Sequence, residues 1–396
     1  MITASFRNLV DVAALAIIIW ANWQIGSSVL TWAQRHPAPT RNLVRLLVAC
    51  AGIWLAAGIL LSFHSVVNVI RPDSRLRGLL GGIAFLWMFA STGAYLIHRL
   101  RRLALRLAPK VDFDPGRRKL VGAAGNAFVA APFALAGFGA LIERTDFRVR
   151  EVRIPIPNLP SDLQGLRVLQ LSDIHMGPFL SERDLARVID ESLNLRPHLA
   201  LITGDLISMR GDPLDECLRQ IARLRPDAGI LGCMGNHEAY TSVQDYVTQQ
   251  GGRLGIDFLR EQARPLKFGS ATLNVAGVDY ESISKRKSYL TDAELLVRPG
   301  AVNVLMSHNP DVFPVAARKG FDLTVAGHTH GGQVTVEILN QTLNVARFIT
   351  PFVSGYYRLD QPAKPSLYVT RGIGTIGLPA RIGAPPEITL LRLVSA

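Results

Sequence analysis

At 396 residues the chain is longer than one typical domain, and its three cysteines are too few for a disulfide framework. Its net charge of +12 is confined to residues 1–150, which hold 18 Lys and Arg against 6 Asp and Glu, and the remainder is neutral. That second half has no basic patch interleaved with aromatics, which argues against a nucleic-acid partner.

The first half is dominated by apolar runs. Residues 9–32 carry one charge, Asp11, and residues 46–70, 78–98 and 120–142 carry no Asp, Glu, Lys or Arg. Each is about the ~20 residues that cross a bilayer as a helix. An all-α transmembrane region of about four helices is therefore expected over residues 1–147, with the lipid bilayer as its partner. The three inner runs hold no acidic residue, so they offer no ion path and do not read as a transporter.

Charge orients these helices. The loops 33–45 and 99–119 share one side and carry 11 basic residues, against 8 on the other side. Positive-inside reasoning places 99–119 in the cytoplasm and residues 148–396 outside it. The stretch 115–137, PGRRKLVGAAGNAFVAAPFALAG, resembles a twin-arginine export signal in Arg117-Arg118 and the small-residue run that follows. It lacks the usual Ser or Thr before the arginines, and no small-x-small cleavage site is clear, so it is expected to stay as an anchor. The leucines and arginines of 100–110 fit a basic amphipathic helix on anionic headgroups. The localisation expected is the cytoplasmic membrane of a bacterium, with the second domain extracytoplasmic.

From residue 148 the pattern changes. Residues 148–160 alternate and then break at prolines, as an edge strand and linker would. LRVLQLSD (166–173), LALITGD (199–205) and GILGCMGNHE (229–238) are apolar runs with polar ends. Between them, 181–196 and 213–225 have helical spacing, the first opened by a Ser181/Asp184 capping box and the second by Pro213. AVNVLMSHNP (301–310) and FDLTVAGHTH (321–330) are two more buried strands flanking a short helix at 311–319. Residues 257–280 and 365–394 read as antiparallel. The fold class is α/β, a mixed β-sheet sandwich flanked by helices, over a domain of residues 148–396.

Metal-capable residues close each of these strands: Asp173 and His175, Asp205, Asn236 and His237, His308, then His328 and His330. Carboxyl ends of strands are where open α/β sheets place ligands. Imidazoles with carboxylates suit Mn, Fe, Zn or similar divalent ions, and seven donors exceed one tetrahedral site. They suit two ions that share a carboxylate. Asp173/His175 and His328/His330 are each spaced i, i+2, which in an extended segment puts both side chains on one face. Gly327, Gly331 and Gly332 let the backbone approach without a side chain intervening.

The segments DIH (173–175), GD (204–205), GNHE (235–238), SHNP (307–310) and GHTHGGQ (327–333) resemble the calcineurin-like metallophosphoesterases in order and spacing. The tail TRGIGTIGLPARIGAPPEITLLRL (370–393) is similar to that superfamily's membrane-anchored branch. The resemblance implies the calcineurin-like fold and a dinuclear centre. One divalent ion would be held by Asp173, His175, Asp205 and His330. The second would be held by Asp205, Asn236, His308 and His328, with Asp205 bridging. It implies in-line attack on phosphorus by a hydroxide between the ions, with His237 as general acid. The chain departs from the family's protein phosphatases at Ser208, which stands where they have the Asp that supports this histidine.

The function expected is a membrane-anchored phosphodiesterase or pyrophosphohydrolase acting on a lipid or cell-envelope phosphoester. One alternative is hydrolysis like that of UDP-2,3-diacylglucosamine in lipid A synthesis, a cytoplasmic step at odds with the orientation above. Another is a non-catalytic membrane module with a structural metal site. The sequence names no substrate-binding residue.

Overall fold

A computed structural model describes residues 4–60, 74–107, 115–338, 341–360 and 364–396. The chain divides into two units, Met1–Ala140 with Gly377–Pro379, and Leu141–Ile376 with Ala380–Ala396.

The first unit contains helices α1 (Ala4–Ala33), α2 (Ala38–Leu60), α3 (Ser74–Leu107) and α4 (Pro115–Leu141). Among the described residues three stretches, against the four expected, are long and apolar enough to cross a membrane: Ala38–Leu60, Gly78–Leu107 and Pro115–Thr145. The run expected at 9–32 lies within α1. The run at 46–70 starts its helix earlier, at Ala38, and residues 61–70 lie outside the described residues. The helix read over 100–110 is present through Leu107 as the end of α3, and 108–110 lie outside the described residues. Arg101 is used internally, its guanidinium donating to Asn126 Oδ1 on α4 at 2.7 Å. A Cβ on Gly58 would sit 2.5 Å from Ala84 Cβ, so glycine lets α2 and α3 touch. Ser91 Oγ donates to Asn22 Oδ1 at 2.9 Å and ties α3 to α1.

The second unit is a sandwich of two six-stranded sheets. The first sheet has the order β1-β14-β2-β3-β4-β5, from Arg148–Ile156, Glu387–Ser395, Arg167–Leu171, Leu199–Thr203, Ile230–Cys233 and Ile256–Phe258. The second has the order β12-β13-β9-β8-β7-β6, from Gly355–Arg358, Ser366–Val369, Leu323–Ala326, Val302–Met306, Ala271–Gly277 and Gln262–Phe268. A small hairpin, β10 (Thr335–Ile338) with β11 (Gln341–Asn344), stands apart. β1 is an edge strand, in keeping with Pro155 near its end and Pro157 and Pro160 just beyond it. β6 and β7 are antiparallel. The 365–394 end is only partly so: β13 runs parallel to β9, and β14 is antiparallel to β2 but parallel to β1.

The central strands are apolar throughout because both their faces are covered. Val168, Leu199 and Leu201 point between the sheets and meet Val275, Val304, Leu323 and Val325. Their neighbours Leu169, Leu171, Ala200 and Ile202 point the other way, onto α5 (Glu182–Asn194) and α6 (Leu214–Ile221) through Leu185, Val188, Ile189 and Leu218. The period of two thus survives in an all-apolar strand as two different partners. Ser181 caps α5 with the reciprocal Asp184 contact, both at 3.2 Å. Two short helices, α7 (Asn236–Thr241) and α8 (Gln244–Arg253), follow β4, and α9 (Phe313–Arg318) lies between β8 and β9. The two sheets bring the carboxyl ends of β2, β3, β4, β8 and β9 to one place.

Candidate metal centre

β2 and β3 are parallel neighbours, and the chain leaves them in step. Asp173 N–H donates to Gly204 O and His175 N–H to Asp205 O, each at 3.0 Å. Past β4, Asn236 and His237 open α7, and His237 N–H donates to Asp205 Oδ1 at 2.9 Å. From the facing sheet β8 delivers His308, and β9 delivers His328 and His330. His328 N–H donates to both oxygens of Asp173, at 2.9 and 3.1 Å. Two glycines permit this closeness. A Cβ on Gly235 would lie 2.1 Å from Asp205 Oδ1, and one on Gly327 would lie 2.2 Å from Asp173 Oδ2.

The expectation that the two i, i+2 pairs share one face of an extended segment is not met. Asp173, His175, Asp205, His328 and His330 all have left-handed backbones, with φ of 51°, 48°, 57°, 73° and 52°. β2 ends at Leu171 and β9 at Ala326, so the pairs lie in tight turns beyond the strands. Each such residue costs of order 1–3 kcal/mol, which the buried surroundings must offset. The turns also separate His328 from His330. His330 groups with Asp173 and His175, while His328 groups with Asp205 and His308. His175, Asp205 and His237 form a third, overlapping group.

Within this cluster His175 Nε2 and His330 Nε2 are 3.2 Å apart. Asp205 Oδ2 lies 3.4 Å from His175 Nε2 and 3.1 Å from His308 Nε2. Asp173 Oδ1 lies 3.3 Å from His330 Nε2. The other ring nitrogens are committed. His308 Nδ1 is 2.7 Å from Thr203 O, and His237 Nδ1 is 2.6 Å from Ser208 O. A carbonyl only accepts, so Nδ1 carries the proton in both rings and Nε2 faces inward.

Burial is the largest single influence on Asp173, Asp205, His237, His308, His328 and His330. It lowers the His237 ring to about 4 and the His328 ring to about 3, and holds His330 well below its usual range. These imidazoles are neutral and keep a lone pair. Burial also raises the Asp173 carboxyl, with His308 opposing it. At Asp205 burial pushes upward too, but the His308 charge and hydrogen bonds from His175 and His308 outweigh it and hold the carboxyl well down. His308 is the counterpart: burial opposes its charge, Asp205 prevails, and the ring rises to about 10. Two buried carboxylates call for positive charge between them. Neutral imidazoles, carboxylates and the buried Asn236 Oδ1, which has no hydrogen-bond partner, are a donor set that fits divalent cations.

Ser208 has two roles that its place in the sequence did not announce. Its hydroxyl lies 3.0 Å from His175 Nδ1, and its backbone carbonyl holds His237. The support given by an Asp in the protein phosphatases is supplied here by a main-chain oxygen. Glu238, in α7, is turned to the backbone beneath the centre. Its carboxylate accepts the N–H groups of Asp205, Leu206 and Gly235, each at 2.8 Å, and fixes the turns beneath the site.

Arg381 is the residue that sequence reasoning missed. It is fully buried in the tail, and its guanidinium donates to Gly372 O at 3.1 Å and to Gly374 O and Ala384 O at 3.0 Å. Its terminal nitrogens also lie 3.4 Å from His330 O and 3.5 Å from His330 Nδ1. The same 372–374 segment packs on Asp173: Gly374 N–H donates to Asp173 O at 2.7 Å. One cation thus braces the turns of His330 and Asp173. The glycine-rich tail was the available signal, because closely spaced glycines mark backbone that something else must approach.

Replacing Arg381 by Met leaves buried carbonyls short of a donor, at about 1–3 kcal/mol for each unsatisfied group. The R381M protein is expected to melt at a lower temperature without metal. It is also expected to bind Mn2+ at the Asp173–His175–His330 group about 10–100-fold more weakly, the usual worth of groups that support ligands. Calorimetric titration of the purified protein checks this, and unchanged affinity at both ions would reduce the arginine to a filler.

Residues 166–332 match the family model described as calcineurin-like phosphoesterase. A transmembrane protein with metallophosphoesterase domain from Danio rerio is 29% identical over 283 residues, 66% of this chain and 61% of that protein. The chain therefore spans about three-fifths of that relative. The protein of the same name from Bos taurus is 27% identical over 88% of this chain and 82% of its own length. Among solved structures, the Haemophilus influenzae NAD nucleotidase aligns with a TM-score of 0.35 and 13% identity, over 53% of this chain and 45% of that one. The chain carries, over residues 166–332, a domain of the calcineurin-like phosphoesterase family, whose members are metal-dependent hydrolases of phosphoester bonds.

Proposed function

We propose that this protein is a membrane-anchored, dimetal-dependent phosphodiesterase or pyrophosphohydrolase whose substrate is a lipid-linked or cell-envelope phosphoester. The observation that carries the reading is the pair of ligand groups meeting at Asp205. Asp173, His175 and His330 with Asp205 would hold one ion, and Asn236, His308 and His328 with Asp205 the other. When bound, two divalent cations such as Mn2+, Fe2+ or Zn2+ stabilise the charge that develops on the phosphoryl group and activate water for attack. The chain's own contribution is to present these donors without rearrangement. His237 stands at the edge of the cluster, its ring 4.7 Å from that of His175. With Nδ1 held by Ser208 O, Nε2 is the ring atom left to face the leaving oxygen, and the ring, neutral at rest, must take up a proton there before it can deliver one. Absence of the phosphatase-type Asp at Ser208 favours diesters and anhydrides over phosphoproteins. Helices able to span a membrane, and relatives named for the same arrangement, support a substrate carried in or near the bilayer.

Asp205→Asn is expected to abolish hydrolysis of bis-p-nitrophenyl phosphate and to lower bound metal from two equivalents to one or none. Elemental analysis of the purified variant showing two full equivalents removes the bridging role.

His237→Ala is expected to keep its metal and to slow turnover by ~10²–10⁴-fold, the usual contribution of proton transfer. The loss should be smaller for p-nitrophenyl than for alkyl leaving groups. Equal losses for both argue against a role at the leaving oxygen.

Residues 148–396 are expected outside the cytoplasmic membrane. The loop 99–119 carries eight basic residues, and insertion scales charge about 2.5–3.5 kcal/mol for each Lys or Arg at the bilayer centre. A C-terminal alkaline phosphatase fusion should be active and a green fluorescent protein fusion dark. The reverse pattern would place the domain in the cytoplasm and favour the lipid A type of reaction.

A further inference from the structure

Two loops border the centre beside His308 and His328, and one short segment anchors both. Asn309, next to His308, donates through Nδ2 to Glu281 O at 2.7 Å and to Tyr289 Oη at 3.1 Å. It thus grips both ends of the loop 281–290, which the Glu281 carboxylate also closes by accepting Leu290 N–H at 2.9 Å. Just before this loop, the Tyr280 ring lies 5.5 Å from that of His328 and 6.0 Å from that of His308. On the other side Asp311 Oδ1 accepts from Thr350 Oγ at 2.5 Å, and Asn344 Nδ2 donates to Gly331 O at 2.8 Å. The loop 345–350 is therefore pinned to the His308 segment at one end and to the His330 turn at the other.

Between these anchors the side chains face solvent. Lys285, Arg286, Lys287 and Arg347 are exposed. So are Ile283 and Ile349, and Phe348 is 77% exposed. Residues 282–291 and 345–359 contain no Asp or Glu. Isolated exposed apolar residues are ordinary on a soluble surface. Apolar tips among four cations, with the one acid of the two loops, Glu281, turned in on Leu290 N–H, are instead the composition that settles into the interface of an anionic bilayer. Residues 142–147 are the whole connection between Leu141, the end of α4, and β1, so the domain is joined directly to helices long and apolar enough to cross a bilayer.

We propose that the loops 281–290 and 345–350 form a docking rim for an anionic lipid surface, so that the centre they border works on phosphoesters at the bilayer. The choice of substrate rests on the function proposed above, whereas the docking does not.

The test uses the full chain with Cys50→Ser and Phe348→Cys, labelled with an environment-sensitive fluorophore. Cys217 and Cys233 are buried and escape the label. The protein is reconstituted into vesicles of phosphatidylcholine, alone or mixed with phosphatidylglycerol. Blue-shifted emission and protection from aqueous iodide are expected in the mixed vesicles only. The added substitutions K285Q, R286Q and K287Q should abolish both effects while Mn2+-dependent hydrolysis of bis-p-nitrophenyl phosphate is unchanged. A label at Ile283→Cys repeats the measurement without altering Phe348. Emission that ignores phosphatidylglycerol at both positions, or a shift that survives the three Gln substitutions, overturns the proposal. A lipid-dependent shift without any hydrolysis would support docking and instead count against the proposed function.

Discussion

Two carboxylates, Asp173 and Asp205, sit almost without solvent contact where the carboxyl ends of two sheets converge. Removing a carboxylate from water costs several kcal/mol unless partners compensate. Much of the local structure compensates. Asp173 accepts two hydrogen bonds from one backbone N–H, that of His328, and lies beside His330 and His308. Asp205 accepts from His237 N–H and faces His175 and His308. The sandwich is what makes such density possible, because each sheet alone would supply ligands from one side only.

The turns that carry these residues are strained, and their supports lie one layer down. Glu238 fastens the Asp205 and Gly235 turns through three N–H groups, Arg381 fastens the His330 and Gly372 turns through carbonyls, and Ser208 holds two of the histidines. A buried acid and a buried base thus do the same task at opposite ends of the pocket, each by satisfying main-chain groups of the polarity it can bind. Neither group makes an ion pair with the other, and each is solvated by backbone.

The sequence made the donors legible because their spacing follows the strands. An apolar run ending in Asp or His reads the same way whether the strand is central or at an edge. It did not reveal the turn geometry. Asp173 and His175 are two apart, as they would be in a strand, and nothing in DIH shows that both adopt φ near 50°. Helix ends were similarly blurred in the first unit, where Arg99 and Arg101 interrupt hydropathy but not α3. Arg381 was invisible because its partners are carbonyl oxygens, which every residue has. A buried arginine paired with carboxylates leaves acidic residues for a reader to find, while one paired with backbone leaves only glycines.

β14 lies between β1 and β2 in the first sheet, although Glu387 follows Leu171 by most of the domain's length. During synthesis, at about 5–20 residues per second, β2 therefore waits many seconds with an open edge. β2 is the strand that leads to Asp173, so the turn carrying this carboxylate cannot be braced until the tail with Arg381 and β14 has emerged. An unpaired strand of this kind invites pairing with other chains. The order of the strands thus sets a window of vulnerability that opens when β2 leaves the ribosome and closes when β14 is threaded into place.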